Sequence, residues 1–134
     1  MSETPDAYAH LIDLRRDLHR HPEPAWLEFY TTARILEELE RVGVDELFVG
    51  REVTGGNRSS VPSDEELQRW FELAADSGAD ADTLARIEGG YTGAVAVLNK
   101  GDGPTVGLRV DIDALPREES DDPDHAPANE GFRS

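Results

Sequence analysis

The sequence predicts an α/β fold. Apolar residues recur at helical spacing in four segments, three further segments read as short strands, and Gly or Pro punctuates most of the junctions between them. The first helix opens with Thr4 as cap, Pro5 at the first helical position and Asp6 facing the positive end of the dipole, and runs to about His19. Tyr8, Leu11, Ile12 and Leu18 supply its apolar stripe, with Arg15, Arg16 and Asp17 mainly on the wet side. Pro22 and Pro24 break the chain. A second helix spans about Leu27 to Val42, with Thr32, Ile35, Leu36, Leu39 and Val42 on one face and Gly43 as a left-handed cap. Val44 to Val49 reads as a strand.

Residues 50–90 change character. Gly55-Gly56-Asn57 makes a loop, Ser63 and Glu66 form a capping box, and Leu67, Trp70, Phe71 and Ala74 mark a helix ending near Gly78. A shorter helix from about Asp82 to Glu88 stops at Gly89-Gly90. Thr92 to Leu98 and Thr105 to Ile112 read as two strands, and the loop Asn99 to Pro104 between them suits an antiparallel hairpin. From Pro116 onward periodicity is lost, and the chain reaches Ser134 with no expected helix or strand.

Composition narrows the function. Leu, Ile, Val and Phe number only 30 of 134 residues, so the core is thin. Thirteen basic against 29 acidic side chains give a formal charge of −16, which disfavours nucleic acid and anionic membrane surfaces. Without cysteine there is neither a disulfide framework nor a thiolate nucleophile or zinc ligand. The longest apolar run, Ala94 to Leu98, is far short of the roughly 18 residues of a membrane span, and the acidic start Met1 to Asp6 is unlike a signal peptide, so a cytoplasmic location is expected. Twelve of the 13 basic residues are arginine, and acids cluster at Asp76 to Asp82 and Glu118 to Asp124. Self-repulsion of this kind is screened at molar salt, where the Debye length is about 3 Å, and salt adaptation is expected; an ordinary acidic protein is the alternative.

The residues that stand out for chemistry are Asp111 and Asp113. Two residues apart at the end of an apolar strand, both would face one side of the sheet and could bind a divalent cation or orient a histidine that does; equally, they could be two solvated acids. His19 and His21 form an H-x-H pair, but residues two apart do not share a helix face, and a role in closing the helix junction is expected instead. His125 is expected to be solvated. Glu23 and Glu28 flank the start of the second helix, where acids are electrostatically favoured, and a structural role is expected for both. Trp26, Phe29, Trp70 and Phe71 are expected to pack in a core or interface. Asn57-Arg58-Ser59 matches a glycosylation sequon, which matters only on export. Gly101-Asp102-Gly103-Pro104 lacks the strand and helix that a phosphate-cradling loop needs.

Three stretches together carry a resemblance: Leu14 to Glu23 (Leu-Arg-Arg-Asp-Leu-His-Arg-His-Pro-Glu), Thr32 to Gly43, and Gly103 to Pro116 (Gly-Pro-Thr-Val-Gly-Leu-Arg-Val-Asp-Ile-Asp-Ala-Leu-Pro). They resemble the opening of the aminoacylase and carboxypeptidase group of two-metal amidohydrolases, metallopeptidase family twenty, in the branch of hippurate and indoleacetyl-amino-acid hydrolases. The insertion at residues 50–90, with Val61 to Leu67 and Gly89 to Gly93, is similar to that of the aminobenzoyl-glutamate hydrolases. The resemblance covers nearly the whole chain and lies in the order and spacing of the segments.

The resemblance implies a mixed-sheet catalytic domain of the zinc-peptidase type and an N-acyl amino acid substrate, with aminobenzoyl-glutamate one candidate. It also implies two divalent metals, zinc or manganese, that activate a water in the full-length enzyme. Asp111 stands where other branches have a metal histidine, and Asp113 where they have the aspartate that orients it, so both are expected to support a metal site rather than bind metal. The branch's H-A-C-G-H-D ligand segment is expected a few residues beyond Ser134, and no metal is expected in this chain. Residues 1–134 are therefore expected to be the amino-terminal part of one catalytic domain, incomplete at the C-terminus, without the family's small dimerisation domain and inactive alone. Association with the missing C-terminal part, or with further copies, is expected through exposed sheet edges. The alternatives are a non-catalytic acidic module that pairs with a complementary chain, and a cation-binding protein using Asp111, Asp113 and the Glu118 to Asp124 run.

Overall fold

The computed structural model describes residues 4–134, with side chains from Asp6 onward, so the expected roles of Thr4 and Pro5 in opening the first helix lie outside the described residues. The elements, in order, are α1 (Thr4–Arg20), α2 (Phe29–Val42), β1 (Glu46–Val49), α3 (Arg51–Thr54), α4 (Asp64–Asp76), α5 (Ala81–Ile87), β2 (Ala94–Val97) and α6 (Ala126–Asn129). They fall into two compact units: one holds the residues up to Pro22 together with Leu115–Ser134, and the other spans Glu23–Ala114.

The Glu23–Ala114 unit is built on α2. Phe29, Thr32, Ala33 and Leu36, spaced at i, i+3, i+4 and i+7, are all buried and form the inward stripe. The stripe lies nearer the N-terminus than the sequence suggested, since Val42 is exposed. Leu27, Val49, Leu67, Ala74, Leu84 and Ile87 complete the core, so α4 and α5, from the 50–90 segment, pack directly against α2. Local signals set the ends of these helices. Gly43 takes φ +79° and donates to Leu39 O at 3.0 Å, the left-handed stop expected of it. Ser63 accepts from Glu66 N–H, the first half of the expected capping box of α4, and its hydroxyl donates to the Glu66 carboxylate at 3.4 Å. Asp80 caps α5 through Thr83 N–H at 2.8 Å, which starts that helix just before the expected Asp82.

Strand pairing departs from expectation. β2 pairs antiparallel with β1, Glu46 opposite Val97 and Val49 opposite Ala94, and not with the segment that follows it. Among the described residues the sheet has these two strands, where a mixed sheet was expected. Thr105 to Ile112 runs without a ladder partner, and Val106, Leu108 and Val110 are 85%, 90% and 69% exposed. Alternation marks which side of a segment is apolar but not which edge it joins, and here β1 supplies the edge. The segment ends where Ala114 N–H donates to Glu23 O at 2.8 Å.

In the other unit the expected apolar stripe of α1 does not form a buried face: Tyr8, Leu11 and Ile12 are exposed. The helix instead organises a polar and aromatic cluster. Phe132 is buried, with the Arg16 guanidinium 4.7 Å from its ring centroid and the His19 ring edge-on at 5.4 Å, while Arg16 also pairs with Glu130. The segment after Pro116, expected to be irregular throughout, contains the single-turn helix α6 and is closed by Phe132 N–H donating to Pro127 O.

Candidate functional site

Within the Glu23–Ala114 unit, an open cleft of about 290 Å³ is lined by Ala25, Trp26, Glu28, Thr92, Gly93 and Arg109 to Asp113. The N-terminus of α2 builds one wall. Glu23, buried, accepts the backbone N–H groups of Tyr30 and Thr31, each at 2.8 Å, and so caps the helix from outside it. Burial pushes its carboxyl up to about 7, against the opposing pull of the Thr31 and Tyr30 hydrogen bonds. Glu28, also buried, accepts from the Thr92 hydroxyl at 2.6 Å. Its carboxyl is raised by burial, lowered by Thr92 and raised again by the charge on Asp113. Thr32 Oγ1 accepts Gly93 N–H at 3.0 Å, fastening the strand entry to the same helix. The structural service expected of Glu23 and Glu28 is thus accounted for residue by residue.

Asp111 and Asp113 both line this cleft, from an extended segment rather than a strand end. Both are exposed, and Asp111 pairs with Arg109 at 2.9 Å. An ion pair this exposed contributes roughly 0–1 kcal/mol. The arrangement offers three carboxylates around a small opening with Trp26 at its side. It does not offer a metal cage: Glu28 is engaged by Thr92 and Asp111 by Arg109, and among the described residues no group of three or more His, Asp or Glu side chains is placed to hold a metal ion.

His19 and His21 part company, as their spacing required. His21 Nδ1 lies 2.8 Å from Asp17 O. His19 Nε2 lies 2.9 and 3.0 Å from the two oxygens of Glu119, and His125 Nε2 lies 2.7 Å from Oε1 of the same carboxylate. His125, expected to be solvated, is half-buried in this contact because the turn before α6 folds it back onto Glu119. Ser134 N–H also donates to Glu119, at 3.0 Å, and this bond with those of His125 and His19 holds the carboxyl down at about 2. Sequence reasoning missed Glu119 because it sits in an acidic run where no periodicity separates it from Glu118. It missed Thr92 because a lone threonine before a strand carries no local signal.

No protein-family model matches the chain. It is 44% identical over 122 residues to a p-aminobenzoyl-glutamate hydrolase subunit of Escherichia coli K12, and 42% identical over 122 residues to indole-3-acetyl-aspartic acid hydrolase of Enterobacter agglomerans. Each match takes in 90% of this chain and 28% of the relative, so the chain spans about 28% of the length of the curated relatives it matches. Among solved structures, the aminobenzoyl-glutamate utilization protein of Klebsiella pneumoniae superposes with a TM-score of 0.75 at 41% identity, over 80% of this chain and 27% of that one. Sequence and backbone agree across most of its residues: the chain is similar to the amino-terminal part of proteins named as hydrolases of p-aminobenzoyl-glutamate and indole-3-acetyl-aspartic acid.

Proposed function

We propose that the chain forms the amino-terminal part of the catalytic domain of an amidohydrolase that splits N-acyl amino acids, with aminobenzoyl-glutamate a candidate substrate. The reading rests above all on the similarity along 90% of the chain to hydrolases named for aminobenzoyl-glutamate and indole-3-acetyl-aspartate, both amides of an acidic amino acid. The reaction adds water across the amide: oxygen bonds to the acyl carbon, the C–N bond breaks, and the nitrogen leaves protonated as the free amino acid. In this reading the cleft beside Trp26 is one wall of the substrate site. Glu28, fixed by Thr92, and Asp113 line it. The zinc or manganese pair implied by the resemblance finds no donor set among the described residues.

A chimera tests this. Residues 1–134 replacing the matching segment of the Escherichia coli relative should give a protein that hydrolyses aminobenzoyl-glutamate, while the chain alone should give no turnover. A folded chimera without activity would overturn the proposal. A second reading, an acidic module that pairs with a complementary chain, draws on the exposed alternation Val106, Leu108 and Val110. Stable assembly with an inactive partner, and no rescue of activity in the chimera, would favour it.

A further inference from the structure

We propose that Arg51, Arg58 and Tyr91 form a carboxylate-binding site for the acidic amino-acid half of an N-acyl amino acid, an inference that rests on the amidohydrolase reading above. The Arg51 guanidinium carbon lies 3.9 Å from the Tyr91 ring centroid and that of Arg58 lies 3.7 Å from it. Two planar cations this close to one centroid cannot share a face, so they flank the ring. Each guanidinium is held in place: Arg51 donates to the Tyr91 hydroxyl oxygen at 2.6 Å, and Arg58 donates to Gly89 O at 2.8 Å while also lying 5.7 Å from the Trp26 ring. Like charges gathered on one ring repel, and in a chain with 29 acidic side chains a neighbouring carboxylate is the expected remedy. Neither arginine has an ion-pair partner among the described residues. Because the Tyr91 oxygen already accepts from Arg51, its own O–H remains to be given to an acceptor. Arg51, Arg58 and the Tyr91 hydroxyl are thus three fixed donor groups around one ring, and the planar forks of arginine match a carboxylate.

Position and rigidity fit the role. Trp26, which lies beside Arg58, also lines the cleft with Glu28, Asp111 and Asp113, so a ligand held by the arginines would sit next to that opening. Trp26 donates to Ser59 O at 3.0 Å, tying the loop that carries Arg58 to the cleft. The Gly89 to Tyr91 turn leaves no slack: a Cβ on Gly90 would meet Leu67 Cδ2 at 2.7 Å and Trp26 O at 2.8 Å. In a molecule whose overall field repels anions, this built cationic clamp would select a ligand by its acidic side chain.

The test is titration of the full chain with N-acetyl-glutamate, N-acetyl-glutamine and glutarate, followed by heat and by tryptophan fluorescence. N-acetyl-glutamate should bind at least tenfold more tightly than N-acetyl-glutamine, which lacks the side-chain charge, glutarate should bind, and R51Q and R58Q should each weaken N-acetyl-glutamate and glutarate about tenfold. Arg51 is exposed, so R51Q keeps the test valid should R58Q, which loses its bond to Gly89 O, fail to fold. Equal affinity for acid and amide, wild-type affinity in folded R51Q, or no binding of any acid would overturn the site and leave the amidohydrolase reading standing. Arginine-dependent binding of glutarate with none of N-acetyl-glutamate would keep the carboxylate site and overturn that reading.

Discussion

The Glu23 carboxylate receives the backbone N–H of Tyr30 at 2.8 Å from seven residues upstream, so the helix that carries the core is capped by a residue outside it. Glu28, in the N-cap position itself, makes no side-chain cap bond and turns instead to Thr92. Removing the acceptor in Glu23→Ala should cost about 1–2 kcal/mol in denaturant unfolding followed by Trp26 and Trp70 fluorescence. The pH dependence has a definite sign. The folded carboxyl titrates near 7 against 4.5 for the free group, so the folded state holds the extra proton. Glu23 therefore lowers stability as pH rises from about 4.5 to about 7, by on the order of 3 kcal/mol, and Glu23→Gln should flatten that slope.

Glu119 should act in the opposite sense. Its carboxyl is held at about 2, so it stabilises the fold above the ordinary carboxylate range and that contribution is lost as pH falls from about 4.5 toward 2. Acid titration read by the NMR signals of His19, His125 and Phe132 should show these contacts loosening in that window. In Glu119→Gln the window should vanish.

At Gly90 the backbone has φ +78° and Leu67, Trp26 and Arg58 close around it. Gly90→Ala should destabilise by roughly 2–4 kcal/mol and lower the thermal midpoint, whereas Gly103→Ala, with open space around it, should change the midpoint little.

Salt should raise stability. With a formal charge of −16 the compact chain repels itself, and shortening the Debye length to about 3 Å near 1 M salt relieves this. Thermal midpoints by circular dichroism should climb from about 0.1 M to about 1 M sodium chloride. A flat or falling trend would count against salt adaptation.

What the sequence revealed follows the range of the forces involved. The stop at Gly43 and the cap at Ser63 rest on neighbours within four residues, and both were readable. The bond from Thr92 to Glu28 spans 64 residues, and β1 pairs with a strand some fifty residues away, so neither leaves a local trace. The same holds for the Arg51 and Tyr91 contact, 40 residues apart. Asp111 and Asp113 stand out by spacing alone, and the structure sets both at the edge of the Trp26 cleft, although the strand expected to carry them is an unladdered segment. Their role in a metal site is a matter for the chimera.

Val106, Leu108 and Val110 form a bare, greasy ribbon on a segment that joins neither strand of the described sheet. Such ribbons template one another, and at low ionic strength the −16 charge keeps two copies apart. Brine that quiets repulsion inside one molecule removes that barrier as well. Solubility and folding strength should therefore move in opposite directions as ionic strength climbs, and concentrated samples should gel or precipitate under the very conditions that best hold each molecule together.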